Sequence, residues 1–199
     1  MAGSGRVVTY RELDEESNRL AHLFRSAGLG PGDHIAFMLE NHPLFLAVAW
    51  AAHRSGLYYT AISSRLKADE LAYIVDNCEA RVFISSAALA DVATSVTEAT
   101  PRVGLRLMLD GVAPGFDSYE EAVAAHPATP IEDECQGVDM LYSSGTTGRP
   151  RASSPLSPRP RWTRRARCCS SSSSCSRPRP TASTSPRPRS TTPRRCATA

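Results

Sequence analysis

Nine consecutive residues, Tyr142, Ser143, Ser144, Gly145, Thr146, Thr147, Gly148, Arg149 and Pro150, set hydroxyl and glycine side chains directly after an apolar stretch. Glycine permits sharp backbone bends that turn successive N–H groups toward one point, and the hydroxyls of Ser143, Ser144, Thr146 and Thr147 add donors. Such a loop suits an anion, and nucleotide phosphate in particular. It is not the common P-loop, which needs Lys-Ser or Lys-Thr after its second glycine, where this chain has Arg149 and Pro150. A polar turn joining two elements would use the same residue types, so the residues alone leave both readings open.

Other reactive side chains point to structure. His22 and His53 fall within helical patterns, His34 begins an apolar run, and His42 and His126 precede prolines. None stands with a nucleophile and an orienting acid in a recognisable pattern, so no general base is assigned. The acidic clusters Glu120-Glu121 and Glu132-Asp133-Glu134 lack the spaced oxygen ligands of a metal loop and read as solvated surface. Cys168, Cys169, Cys175 and Cys196 do not form paired C-x-x-C knuckles, and Cys78 and Cys135 read as reduced thiols. No metal site is expected.

The loop needs a scaffold, and the preceding residues describe one. Thr9 and Glu12 form a T-x-x-E capping box, and Leu13, Leu20, Leu23, Phe24 and Ala27 recur at helical spacing until Gly28 stops the helix. After the Pro31-Gly32-Asp33 turn, residues 34–39 read as a buried strand, with Glu40-Asn41 capping a helix over 42–55. Strands at 57–62, 81–85 and 104–109 then alternate with helices at 68–77 and 89–99. Ser118 and Glu121 form a second capping box, and 138–142 is a last strand running into the glycine loop. Trp50, Phe45, Tyr58 and Tyr59 are expected in the core. The alternation predicts an α/β fold with a mostly parallel sheet covered by helices.

Composition changes abruptly at residue 151. From there to 199, Arg, Ser and Pro fill 12, 12 and 8 of 49 positions, and Gly, Asp, Glu, Val, Ile, Phe and Tyr are absent. Residues 1–150 carry a net charge of −9 and the tail adds +12, giving +3 overall. With Leu156 and Trp162 as its only large apolar residues, the tail cannot bury enough surface to offset the entropy of ordering, so disorder is expected for 151–199. The chain opens without the pattern of a secretory signal, and its longest apolar run, 44–52, falls far short of the roughly 20 residues that span a bilayer. A cytoplasmic protein without a membrane span is expected.

Tyr-Ser-Ser-Gly-Thr-Thr-Gly-Arg-Pro at 142–150 resembles the phosphate-binding signature of the adenylate-forming (AMP-binding) superfamily of acyl-CoA synthetases, luciferases and peptide-synthetase adenylation domains. Upstream, Thr9-Tyr10-Arg11-Glu12-Leu13, Gly28-Leu29-Gly30-Pro31-Gly32-Asp33 and the block from Asn41-His42-Pro43 to Gly56-Leu57-Tyr58-Tyr59 resemble the amino-terminal region of fatty acyl-CoA synthetases. The resemblance covers about residues 5–150 and implies the amino-terminal part of that family's large domain. It implies ATP, Mg2+ and CoA as the complete enzyme's cofactors and a carboxylic acid as substrate, converted to an acyl-adenylate and then a thioester. Ser143, Ser144, Gly145, Thr146, Thr147 and Gly148 would bind ATP phosphate. Where the family has lysine after the proline, this chain has Arg151, and Ala152 replaces the following glycine.

One set of codons for Pro150 to Pro155, CCA AGG GCA TCA AGC CCC, read one base earlier after CC gives AAG GGC ATC AAG CCC, or Lys-Gly-Ile-Lys-Pro, which restores the family pattern. The expectation is a single-base loss at codon 150, an out-of-frame tail, and no turnover from this chain. Substrate alternatives are aryl or amino acids. A second function class is a basic, disordered arm binding nucleic acid or a partner, since 12 arginines without acids favour phosphate. Trp162 as sole aromatic, without interleaved stacking residues, argues against specific nucleic-acid recognition.

Overall fold

The computed structural model describes residue 5, residues 7–143 and residues 151–153, with backbone alone at 143 and 151–153. Helix α1, Tyr10–Ser26, begins at the expected capping box: the Glu12 N–H donates to the Thr9 hydroxyl, and the Thr9 N–H donates to the Glu12 carboxylate at 2.7 Å. It ends where Gly28, at φ 77°, lets the Leu29 N–H return to the Phe24 carbonyl. Strand β1 is His34–Met38 and β2 is Tyr58–Ile62, separated by α2, Phe45–Arg54. Helix α3, Ala68–Asn77, leads to β3, Val82–Ser86, and a turn of 3-10 helix and α4, Ala90–Ser95, lead to β4, Leu105–Leu109. The two-residue β5, Asp117–Ser118, precedes α5, Tyr119–Ala124; β6 is Val138–Asp139.

These six strands form one parallel sheet in the order β5-β4-β3-β1-β2-β6. The chain winds outward from β1 in both directions, and side-chain alternation serves both faces. Ile35, Phe37, Val82, Ile84, Leu107 and Leu109 point into a core shared with Leu20, Phe24, Val48, Ala51 and Tyr119 of α1, α2 and α5. Ala36, Met38, Phe83 and Met108 point the other way, onto Leu71, Ile74, Val75 and Ala93 of α3 and α4. The mostly parallel α/β sheet expected from the alternation is therefore present. Among the described residues no helix is long and apolar enough to cross a membrane.

Several local expectations need correcting. Helix α2 starts at Phe45 rather than 42, because Pro43 holds His42 out of helical conformation; the His42 ring Nδ1, not Asn41, accepts the Leu44 N–H at 3.1 Å. The helix expected over 89–99 closes at Ser95, where Thr94 and Ser95 hydroxyls bond back to the carbonyls of Ala90 and Val92 at 2.8 Å. Ser118 caps α5 through the Glu121 N–H, but Ser118 donates its hydroxyl to Glu120. Trp50 and Leu46, one turn apart on α2, are half-exposed rather than core. Phe45 does pack on the core, edge-on to Phe37.

The strand read over 138–142 is two strands. Val138 and Asp139 extend the parallel sheet beside β2; after Met140 the chain leaves it as β7, Leu141–Ser143, which pairs antiparallel with β8, Arg151–Ser153. The first three residues after the compositional break are thus strand, held by backbone pairing that needs no particular side chain.

Candidate functional site

The β7–β8 pair sets the mouth of the glycine loop. Ser143 stands opposite Arg151, Tyr142 opposite Ala152 and Leu141 opposite Ser153. Ser144, Gly145, Thr146, Thr147 and Gly148 lie outside the described residues, so the structure brings together the loop's two flanks, at Ser143 and Arg151. The incoming flank is tied to the scaffold twice. The Met140 N–H donates to the Tyr59 carbonyl at 2.8 Å, and the Tyr142 hydroxyl donates to Asn77 Oδ1, at the end of α3, at 2.7 Å. The Tyr142 ring packs on the α3–α4 core, and burial, with the charges of Cys78 and Tyr73 behind it, pushes its phenol well above the usual tyrosine range. Tyr142 is therefore a neutral donor at physiological pH.

Beneath it, Cys78 is buried, and burial pushes its thiol up to about 11. A thiol so protonated is not a nucleophile at neutral pH. Two of the histidines are occupied structurally. His42 accepts from Leu44 through Nδ1 and meets Asp110 through Nε2 at 2.9 Å, which leaves neither nitrogen for proton transfer. His22 Nε2 donates to the Thr129 carbonyl at 2.9 Å, and burial, aided by His22, holds the His126 imidazole below its ordinary value. Among the described residues no three His, Cys, Asp or Glu side chains are grouped to hold a metal ion.

The acidic clusters are not merely solvated. Residues 126–137 cross α1 as a strap that delivers β6. Arg19 and Asn18 donate to the carbonyls of His126 and Ala128 at 3.0 Å, Arg25 pairs with Asp133 at 3.0 Å, and Arg54 pairs with Glu134 at 3.5 Å. Arg54 also reaches Asp14 at 2.8 Å and the Asn18 side-chain carbonyl. Glu120 accepts the Asp110 N–H at 2.9 Å. At Gly137 the strap presses against α2 and β2: its N–H donates to the His53 carbonyl at 2.6 Å, and a Cβ there would collide with the carbonyl oxygens of Leu57 and Ala52. Gly137 and Asn77 escaped sequence reading. Gly137, an isolated glycine before a strand, carried a faint signal of close backbone approach; Asn77, 65 residues from its partner, carried none.

The family model described as AMP-binding enzyme matches residues 1–152. The chain belongs to that family. Within the AMP-binding enzymes it is 31% identical over 159 residues to 3-oxocholest-4-en-26-oate–CoA ligase of Rhodococcus rhodochrous, a match covering 76% of this chain and 29% of the ligase. It is 28% identical to long-chain fatty acid transport protein 1 of Mus musculus, over 76% of this chain and 25% of that protein. The solved structure of an anthranilate CoA ligase in complex with anthranoyl-AMP has the same fold, with a TM-score of 0.70 at 23% identity over 75% of this chain and 30% of that one. The chain spans under a third of the length of the curated relatives it matches. The adenylate-forming resemblance is correct at the level of family and fold.

Proposed function

We propose that residues 1–150 are the amino-terminal part of an ATP-dependent acid–CoA ligase acting on a fatty acid in the cytoplasm, with ATP, Mg2+ and CoA as the complete enzyme's co-reactants. The carrying observation is that the family match runs through the Ser-Ser-Gly-Thr-Thr-Gly loop to residue 152 and ends where the Arg/Ser/Pro composition begins. In this reading a substrate carboxylate oxygen bonds to the α-phosphorus of ATP as the bond to pyrophosphate breaks. The CoA sulfur then bonds to the acyl carbon as AMP leaves. Backbone N–H groups and hydroxyls at Ser143, Ser144, Gly145, Thr146, Thr147 and Gly148 hold the β- and γ-phosphates, and Arg151 stands at the position of the family's lysine. Mg2+ enters with the nucleotide. Arginine offers a planar fork where lysine offers a point charge, so the phosphate contact is altered by Arg151.

A fatty acid is favoured by the amino-terminal sequence blocks and by the matched long-chain fatty acid transport protein. Aryl or amino acids are the alternatives, joined by the 3-oxocholest-4-en-26-oate named for one matched ligase, and an acid panel on a complete enzyme separates them. Residues 151–199 are proposed to be an out-of-frame tail. A polypeptide of these 199 residues should show no acid-dependent exchange of pyrophosphate into ATP and no acyl-CoA formation, and a chain continued in the Lys-Gly frame should show both. Turnover by the 199-residue polypeptide would overturn this reading. Reading the DNA or transcript past codon 150 checks it independently: absence of any frame continuing Lys-Gly removes the frameshift. In that case the 12 tail arginines favour an arm that binds nucleic acid. Loss of oligonucleotide affinity on deleting 151–199 would be its signature.

A further inference from the structure

The contact between Tyr142 and Asn77 does more than fill space. Asn77 is the last residue of α3, and the helix end behind it is closed by two returning hydrogen bonds: Glu79 N–H to Asp76 carbonyl at 3.0 Å and Ala80 N–H to Val75 carbonyl at 3.2 Å. The backbone that carries the Asn77 side chain is therefore fixed, and its exposed Oδ1 is the acceptor for Tyr142. Tyr142 is the middle residue of β7, next to Ser143, and its ring lies on the same α3 face. Beyond Met140 the chain has left the parallel sheet as β7, and the three-residue ladder to β8 is its own pairing. A ladder so short has little stability of its own.

We propose that Tyr142 and Asn77 form the anchor that fixes the mouth of the glycine loop to α3, making both positioning residues for phosphate binding. The role in phosphate binding rests on the function proposed above; the anchoring does not. The Met140–Tyr59 bond ends the strand that joins the sheet, and Tyr142–Asn77 is the side-chain bond that holds the segment beyond it. Without it, the Ser143 and Arg151 flanks keep the packing of the Tyr142 ring but lose the directional bond that fixes them to the end of α3.

The test is amide hydrogen exchange on the full 199-residue chain, with inorganic pyrophosphate titrated against the Gly145 and Gly148 amides. Removing one hydrogen bond in Tyr142→Phe or Asn77→Ala should speed exchange of the 141–143 and 151–153 amides about fivefold, while amides of β1, β3 and β4 keep their wild-type rates. Asn77→Asp, which retains an acceptor oxygen, should restore slow exchange. Combining Tyr142→Phe with Asn77→Ala should add nothing to either alone. Pyrophosphate affinity should fall about fivefold in the same two variants and recover in Asn77→Asp. Unchanged exchange in both variants would overturn the anchor, whatever the loop binds. Faster exchange with unchanged pyrophosphate affinity would overturn the positioning role. Faster exchange in variants of a wild-type chain that ignores pyrophosphate would leave the anchor standing and overturn the phosphate-binding reading of the loop.

Discussion

At the scale of single residues, Cys78 ties the interior to pH. Its thiol, ordinarily at 9.0, is pushed up to about 11 by burial among the side chains of α3 and its neighbours. Between those values the unfolded chain releases the proton while the folded chain still holds it, so rising pH favours unfolding. The stabilisation is complete below pH 9 and lost by about pH 11, an effect on the order of 2–3 kcal/mol at about 1.4 kcal/mol per unit. Urea midpoints should therefore fall across that window. Cys78→Ala should flatten part of the fall and leave the remainder to the buried phenol of Tyr119 and the partly buried phenols of Tyr59 and Tyr142, which desolvation raises in the same direction. An unaltered slope in Cys78→Ala would acquit the thiol. None of this was legible beforehand. A lone cysteine in a chain without paired spacing suggests a reduced thiol, and its burial appears only once α3 lies on the sheet. For His22 and His42 the structural reading agrees with the hydrogen bonds they make, and the sequence pointed there because a general base needs companions that it lacks.

At the scale of elements, three helices close in the same way. α1, α2 and α3 each end with a left-handed residue, Gly28, Gly56 and Glu79 at φ 77°, 69° and 54°, and the next N–H returns to a carbonyl five residues back. The two glycines were legible as stops because only glycine takes that conformation freely. Glu79 was not, although the helix end before it was read from periodicity. Replacing Gly28 with alanine should cost about 1–2 kcal/mol for the left-handed backbone alone, since its Cβ would meet only Arg81 Nη2, at an ordinary 3.9 Å. Gly56→Ala should cost more, because its Cβ would also strike Cys135 Sγ and approach Pro31 at 3.2 Å. Glu79→Gly should instead stabilise by up to about 1 kcal/mol, the strain relieved exceeding the entropy added to the unfolded chain. Urea unfolding of the three variants checks the order, and equal losses at Gly28 and Gly56 would deny the collision. The break at Met140 had no counterpart in sequence: Val138, Met140 and Tyr142 alternate as one strand would. The departure is set by what neighbours each half, β2 on one side and α3 on the other.

At the scale of the whole molecule, βα alternation announced a parallel sheet but not its order, because which strand neighbours β1 depends on contacts across tens of residues. The candidate site was half legible. Residue types marked the loop, while the strap, Gly137 and the α3 anchor that position it are tertiary. The same order has a consequence in time. Strand β2 has its β1 partner already synthesised, yet the strand that covers its outer edge comes only when Val138 arrives opposite Tyr58, 80 residues later. At about 5–20 residues per second of synthesis, that is roughly 4–16 s during which a growing chain presents an open row of backbone donors and acceptors. A ribosome that stalls between the two strands holds out a sheet with an unprotected side, so the arginine-clamped strap also shields that edge while the rest of the chain is still being made.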